Sequence, residues 1–496
     1  MPTPYEKLIA RSREIALISS TGSVIGWDQE TYLPAKGVAY RAEQLSYLAG
    51  HAHQLGTAPE IGDWLLACET EQSGWPDEDE RRGNVREWRR DYDRATKTPP
   101  DLVTEMARVS ALAREAWTEA RKKSDFPTFL PWLEKIIALS KRQADCWGWE
   151  KTPYNALLNA YEPGSNAADL KVLFADLRQT LVDLLPAAQQ KTQKINPAKL
   201  HGHYPVEAQQ RFNHKVATAM GFDFDAGRID TTTHPFCSGM GPSDCRLTTR
   251  YDETDFTSSL FGIMHEAGHG LYEQGLRDEA YGTPLGESVS LGIHESQSRL
   301  WENQVGRSRV FWEHWYPLAR EVFTHLKYVT LDEFWMIINR VEPTFIRTES
   351  DEVTYNLHII LRFELEQALI DGTLKPADVP GAWNARFKEL FGLDVPSDAS
   401  GCLQDIHWSM GGFGYFPTYT LGNLNAAQLY RAALAKNSGL ESEIARGQYD
   451  NLLSWLRANV HTHGRRYLPK DLMRHATGEP TNAKYFGEYL KAKFTS

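Results

Sequence analysis

Apolar residues recur along most of this chain at the three-to-four-residue spacing of helices that bury one face. The clearest stretch is Asp101 to Lys123, DLVTEMARVSALAREAWTEARKK. There Leu102, Met106, Val109, Leu112 and Ala113 form a stripe, with charged residues opposite. The preceding TPPD (Thr98 to Asp101) suits a helix start, because proline is tolerated in the first turn. Comparable patterns predict helices over 5–20, 36–55, 126–148, 166–193, 205–220, 255–274, 286–304, 352–371 and 424–463. Only 229–252 departs from this. Its DCRLTTRY alternates Cys245, Leu247, Thr249 and Tyr251 with Arg246, Thr248 and Arg250, the period of a strand.

The expected fold is therefore mainly α, with a small sheet beside the 255–274 helix. Proline and glycine punctuate the helices without a long linker, repeat or low-complexity tract, so residues 1–496 are expected to form a single helical domain.

Composition narrows the function classes. Hydrophobic residues make up 41% and charged residues 24% of the chain, enough for a large core. Acidic residues outnumber basic ones by 65 to 54, a net charge of -11, which argues against a nucleic-acid binder or an anionic-membrane binder. One buried arginine holding an anionic ligand remains compatible. The five cysteines, Cys68, Cys146, Cys237, Cys245 and Cys402, are scattered and lack CxxC spacing, which suits a reducing compartment. The first twenty residues show neither an apolar signal core nor a cleavage site, and no apolar run approaches a bilayer span. A soluble, cytoplasmic protein is expected.

Within LFGIMHEAGHGLYEQG, the motif His265-Glu266-Ala267-Gly268-His269 carries chemistry. Positions i and i+4 share a helix face, so both imidazoles can reach one Zn²⁺, with Glu266 placed to deprotonate a water there. Gly268 and Gly270 cost helix stability and point to something approaching closely. An HExxHxxGxxH continuation is absent, since position 272 is Tyr and position 275 is Gly. A glutamate from a following helix is the alternative third ligand. Glu287, Glu295 and Glu302 in GESVSLGIHESQSRLWEN all qualify on spacing, and surface glutamates are the bland reading of each.

Further motifs resemble the carboxypeptidase Taq family of metallocarboxypeptidases. HPF is His234-Pro235-Phe236, DxRxT is Asp244 to Thr248, and HES/GQ is His294-Glu295-Ser296-Gln297. I/VRxxAD reads Ile346-Arg347-Thr348-Glu349-Ser350-Asp351, with Ser350 replacing Ala, and GxxQDxHW runs from Gly401 to Trp408. GWDQET (Gly26 to Thr31) resembles the family's opening, so the likeness spans from about residue 20 to beyond residue 480. The resemblance implies a saddle-shaped helical body with a deep central groove, commonly a homodimer. It also implies removal of single C-terminal residues with broad specificity, activity with cobalt as well as zinc, and Glu295 as the third ligand.

Other residues have competing readings. Arg347, in TFIRTESDE before a helix expected to start near Thr348, can clamp a substrate's C-terminal carboxylate bidentately or bridge to Asp351 or Glu349. Arg246 is the second clamp candidate, or a bridge to Asp244 or the active-site helix, and His234, before a proline, is a substrate-site candidate that can orient backbone beside the site or a buried, satisfied histidine. His407, Tyr415 and Tyr419 surround a glycine-rich bend and can donate to an oxyanion, or the tyrosines can simply pack. His294, Gln297, Gln404 and Asp405 are candidates for orienting the ligating histidines, whereas Asp244 and Thr248 are expected to hold the strand and His358 to sit in the core. The expected function is a zinc carboxypeptidase acting on peptides with a free C-terminus. An endo-acting oligopeptidase on the same architecture and a helical scaffold with a vestigial metal site are the rivals.

Overall fold

The computed structural model describes residues 1–495. Among them are twenty α-helices and one three-stranded sheet, as the periodicity predicts. Several helices follow the pattern within a residue or two, including Phe126–Trp147, Ala167–Thr192, Val206–Met220 and Phe256–Glu273. Others differ for visible reasons. The first helix runs from Pro4 through Gly22 and Gly26 to Thr31 rather than stopping near 20; a capping box of Thr3 and Glu6 starts it. The 424–463 pattern is broken into Pro417–Lys436, Leu440–Ile444 and Asp450–Asn459, the first break coming at extended Asn437. The 286–304 helix begins only at Leu291, where the Ser290 hydroxyl accepts the Ile293 N–H; from Leu300 to Val305 it widens into a π-helix. In Pro100–Lys123 the buried stripe is Leu102, Val109, Ala113, Trp117 and Ala120; Leu112 points to solvent at 37% exposure.

The sheet orders its strands β1 (Gly227–Thr231), β3 (Asp244–Thr249) and β2 (Cys237–Gly241). β1 pairs parallel to β3, and β2 pairs antiparallel with an irregularity between Gly239 and Gly241. Cys245 and Leu247 face the Phe256–Glu273 helix, where the absence of a side chain at Gly270 admits them: a Cβ there would meet Leu247 at 3.0 Å. Arg246 takes the other face, under Trp27 of the first helix.

Two large apolar clusters form the core. One gathers helices between Val109 and Ala188 with Tyr355–Asp371; the other packs the sheet and the Phe256–Glu273 helix against Trp301, Trp312 and Trp315. The Pro417–Lys436 helix belongs to both, giving Leu421 and Leu424 to the first and Leu429 and Tyr430 to the second. The candidate site lies where this helix packs against the one that carries the HES motif, which in turn packs against the HExxH helix.

Candidate metal centre

Asp255 caps the Phe256–Glu273 helix by accepting the Thr257 N–H, and the helix then presents His265 and His269 one turn apart. The Leu291–Arg299 helix packs against it so tightly that a Cβ on Gly268 would come within 2.6 Å of the Gln297 carbonyl. This is the close approach that the glycine suggested. From the third side, Gly422 abuts Glu295: a Cβ there would stand 2.4 Å from its Cγ. These contacts bring His265, His269 and Glu295 together, with one ligating atom of each within 4.8 Å of the others.

Glu295 Oε2 lies 3.6 Å from His265 Nε2 and 3.4 Å from His269 Nε2. The edge of a tetrahedron with bonds of about 2.1 Å is about 3.4 Å, so the two carboxylate–imidazole edges already match the spacing of a four-coordinate cation. Their chemistry fits as well: two imidazoles and a carboxylate, with His265 raised, against the effect of burial, by Glu295 and Glu302, so that a cation arriving there displaces its proton. Burial lowers His269 to about 3, and neighbouring His294 adds to this, so its ring stays neutral.

Each histidine has its second nitrogen engaged. His265 Nδ1 donates to Glu302 Oε2 at 2.9 Å. Burial opposes charge on Glu302, but Arg299 and His265 hold it down to about 2. His269 Nδ1 meets His294 Nδ1 at 2.5 Å, and His294 Nε2 donates to Glu273 Oε1 at 2.8 Å. Proton positions consistent with this chain leave both Nε2 atoms free for a cation. Arg299 reaches Glu295 Oε1 at 2.7 Å and so faces one carboxylate oxygen away from the histidines.

The Glu266 carboxyl makes no hydrogen bond among the described residues, the residue is 7% exposed, and burial pushes it up to about 7. Near the site, His407 Nε2 lies 3.1 Å from the Tyr419 hydroxyl, and the Tyr415 ring is 5.1 Å from the His407 ring. Burial lowers His407 to about 4, leaving a neutral ring whose Nε2 can donate or accept.

Several expected placements change. Glu302 is neither a third ligand nor a solvated surface residue; it holds His265. Glu287 lies away, paired with Arg465 at 2.8 Å. Arg347 bridges to neither Asp351 nor Glu349. Its Nε and Nη2 bind Asp405 Oδ1 at 3.0 and 2.8 Å, and Nη1 donates to the Tyr355 hydroxyl at 2.9 Å. No helix starts at Thr348: Arg347–Glu349 is a single 3₁₀ turn, and the helix begins at Tyr355 because Asp351 caps Val353 and Thr354 instead. Asp405 and Gln404 orient no ligating histidine. Asp405 also pairs with Arg362, with Nε–Oδ2 at 2.7 Å, and Gln404 Oε1 accepts the Arg347 N–H. Gln297 binds His461 Nε2 at 2.9 Å rather than a ligand. Arg246 forms a bidentate pair with Asp244 at 2.8 Å and stacks 4.4 Å from the Trp27 ring centroid. Thr248 holds the Phe236 backbone, and His234 is exposed, with no side-chain hydrogen bond among the described residues. His358 is buried as expected, against Phe387 and Phe391. The sequence alone did not single out Glu273, Arg299, Tyr355, Arg362, His461 or Gly422. Only Arg299 carried a signal, as the cation between glutamates at i−4 and i+3.

A mainly helical protein with a His–His–Glu cluster on crossed helices is a gluzincin-like metallopeptidase in outline. The carboxypeptidase Taq (M32) metallopeptidase model matches residues 7–494, and the chain belongs to that family. It is 45% identical to thermostable carboxypeptidase 1 of Thermus thermophilus, over 99% of this chain and 98% of that one. Carboxypeptidase 1 of Bacillus subtilis is 36% identical over 98% of this chain and 96% of its own length. The crystal structure of an M32 carboxypeptidase from Deinococcus radiodurans superposes with a TM-score of 0.95 at 40% identity, covering 99% of both chains. The protein is a metallocarboxypeptidase acting on peptides, which sets aside the scaffold reading.

Proposed function

We propose that the metal is zinc, held by His265, His269 and Glu295, and that the enzyme removes single C-terminal residues with broad specificity. The observation that carries this reading is the spacing of Glu295 Oε2 from each Nε2 atom, close to a tetrahedral edge, with the Glu266 carboxyl free of hydrogen bonds among the described residues in the same motif. Cobalt, which accepts the same donors and geometry, is expected to substitute.

When bound, the metal polarises water and the scissile carbonyl. Glu266 takes the proton of the attacking water and returns it to the leaving nitrogen. His407, Tyr415 and Tyr419 surround the carbonyl oxygen, and donors among them stabilise the charge it develops. Glu302 and the His294–Glu273 pair keep the two imidazoles oriented.

Arg347 serves as the carboxylate clamp, favoured over Arg246 by charge balance. Arg347 and Arg362 share the single carboxylate of Asp405, which leaves one positive charge over. Arg246 and Arg228 each have a private partner in Asp244 and Asp230, so that patch is neutral.

Among the described residues no helix is long and apolar enough to cross a membrane, and all five cysteines are free, which supports a cytoplasmic setting. A single domain over 1–496 and a homodimer complete the reading. Exposed Leu17, Val38, Tyr40 and Tyr47 on the first two helices offer apolar surface for a second copy. The deciding experiment is mass spectrometry of peptide ladders digested by metal-reconstituted enzyme, using free-acid and C-terminally amidated peptides. Stepwise shortening of free acids alone supports the exopeptidase; internal cuts in the amides would make it an oligopeptidase.

A further inference from the structure

Glu366 is fully buried on the Tyr355–Asp371 helix, one turn after Arg362, and has no part in the chemistry above. Its two oxygens take three donors from two separate pieces of chain. Oε1 accepts Trp408 Nε1–H at 2.9 Å, whereas Oε2 accepts the Gly414 N–H at 3.0 Å and the Tyr154 hydroxyl at 2.8 Å. Trp408 and Gly414 bracket the glycine-rich bend, with His407 just before it and Tyr415 just after. Arg362 grips the same segment upstream, through Asp405. One helix thus holds the segment at both ends, with the Arg362 guanidinium at Asp405 and the Glu366 carboxyl at the bend.

The bend has no room to settle elsewhere. Gly414 has φ +88°, and a Cβ there would meet the Leu158 backbone nitrogen at 2.7 Å. Tyr415 packs edge-on against Tyr161, with centroids 5.1 Å apart, so the Pro153–Tyr161 helix forms the opposite jaw. A buried carboxylate is costly unless every lone pair in reach is satisfied. The site meets that cost by immobilising the segment that carries the candidate oxyanion donors.

We infer that Glu366 is a positioning residue, fixing the Trp408–Gly414 bend so that His407, Tyr415 and Tyr419 keep their geometry at the reaction centre. This rests on the reading that those donors stabilise the oxyanion. The chemistry makes a carboxylate specifically necessary. Indole and backbone N–H groups can only donate, and they address different oxygens; an amide offers one acceptor and must turn its NH₂ on one of them.

The experiment measures kcat, KM and metal content for Glu366→Gln, Tyr419→Phe and the double variant on a free-acid peptide. Glu366→Gln should lower kcat by about tenfold to a hundredfold with KM and metal content near wild type, the signature of displaced transition-state donors. The double variant should be no slower than the slower single variant, because both changes disable the same group. Should Glu366→Gln fail to fold, Trp408→Phe, which removes one donor and keeps a ring, should show the same kcat-only loss on a smaller scale. Tyr419→Phe impaired with Glu366→Gln at wild-type kcat overturns the inference alone. Losses that multiply in the double variant, or a kcat loss matched by metal loss, also overturn it. Tyr419→Phe at wild-type kcat removes the loop's role, and the inference with it.

Discussion

The Oε2 of Glu302 lies 2.9 Å from Nδ1 of His265, on the side away from Glu295. This separates three glutamates that spacing alone leaves equivalent. Glu295→Ala should abolish stoichiometric metal binding. Glu302→Ala should weaken affinity about tenfold to a hundredfold, because the imidazole loses its orienting acceptor. Glu287→Ala should leave affinity unchanged, its partner being Arg465. Competitive chelation of the three variants reads the order directly; equal affinity of the Glu295 variant and wild type would be decisive against this ligand set.

Glu266→Gln should keep full metal content, since Glu266 lies outside the ligand cluster, and should lose about 10²–10⁴-fold in kcat. Metal analysis and peptide hydrolysis on one preparation provide the check. Near-wild-type turnover would require another base.

Arg347→Ala should lower kcat/KM for free-acid peptides by about a hundredfold and narrow the gap between free-acid and amidated substrates. Asp405 keeps Arg362 in that variant, so the buried carboxylate is not stranded. Arg246→Ala should lower kcat/KM less and leave the gap intact, because it disturbs a neutral pair under Trp27. An Arg347 variant that discriminates the matched peptides as wild type does would move the clamp elsewhere.

His461 is completely buried, donates Nε2–H to Gln297, and is lowered to about 3 by burial, with nearby Arg457 adding to the effect. Between pH 6.5 and 3 the unfolded chain protonates this ring and the folded chain does not, so its contribution to stability falls as the pH falls. Replacing it with Asn should destabilise the protein at pH 7.5. The gap to wild type should close by about 2 kcal/mol between pH 6.5 and 5. Denaturant titrations of both proteins at several pH values test this; a gap that widens towards acid would reverse the assigned sign.

What was legible in the sequence followed from local periodicity. The HExxH pair, the helical body and the β3 strand each depend on neighbours a few residues apart. The roles that differ depend on contacts across tens of residues or more, or on a choice between equivalent acids. Asp405 was expected near the histidines because nothing local ties it to Arg347, 58 residues before it in the chain. Glu302 could not be told from Glu295 because both follow the histidines on one helical stretch; only the packing between the two helices decides which carboxylate faces Nε2. Gly422 carries no signal at all, since a glycine within a helix reads as a weak helix former until the carboxylate pressed against it is known.

Gly268 and Gly422 put three helices into direct contact around the ligands, main chain against main chain at the first and main chain against a ligand side chain at the second. The distance between donors is consequently a property of helix spacing, with few rotamers left to absorb a change. An ion of different radius shifts Glu295 against the two imidazoles and so loads the helix contacts at Gly268 and Gly422. Metal choice in this enzyme is thereby coupled to global stability, and the melting temperature of the protein loaded with each divalent ion should rank the ions by size as a gauge ranks pins.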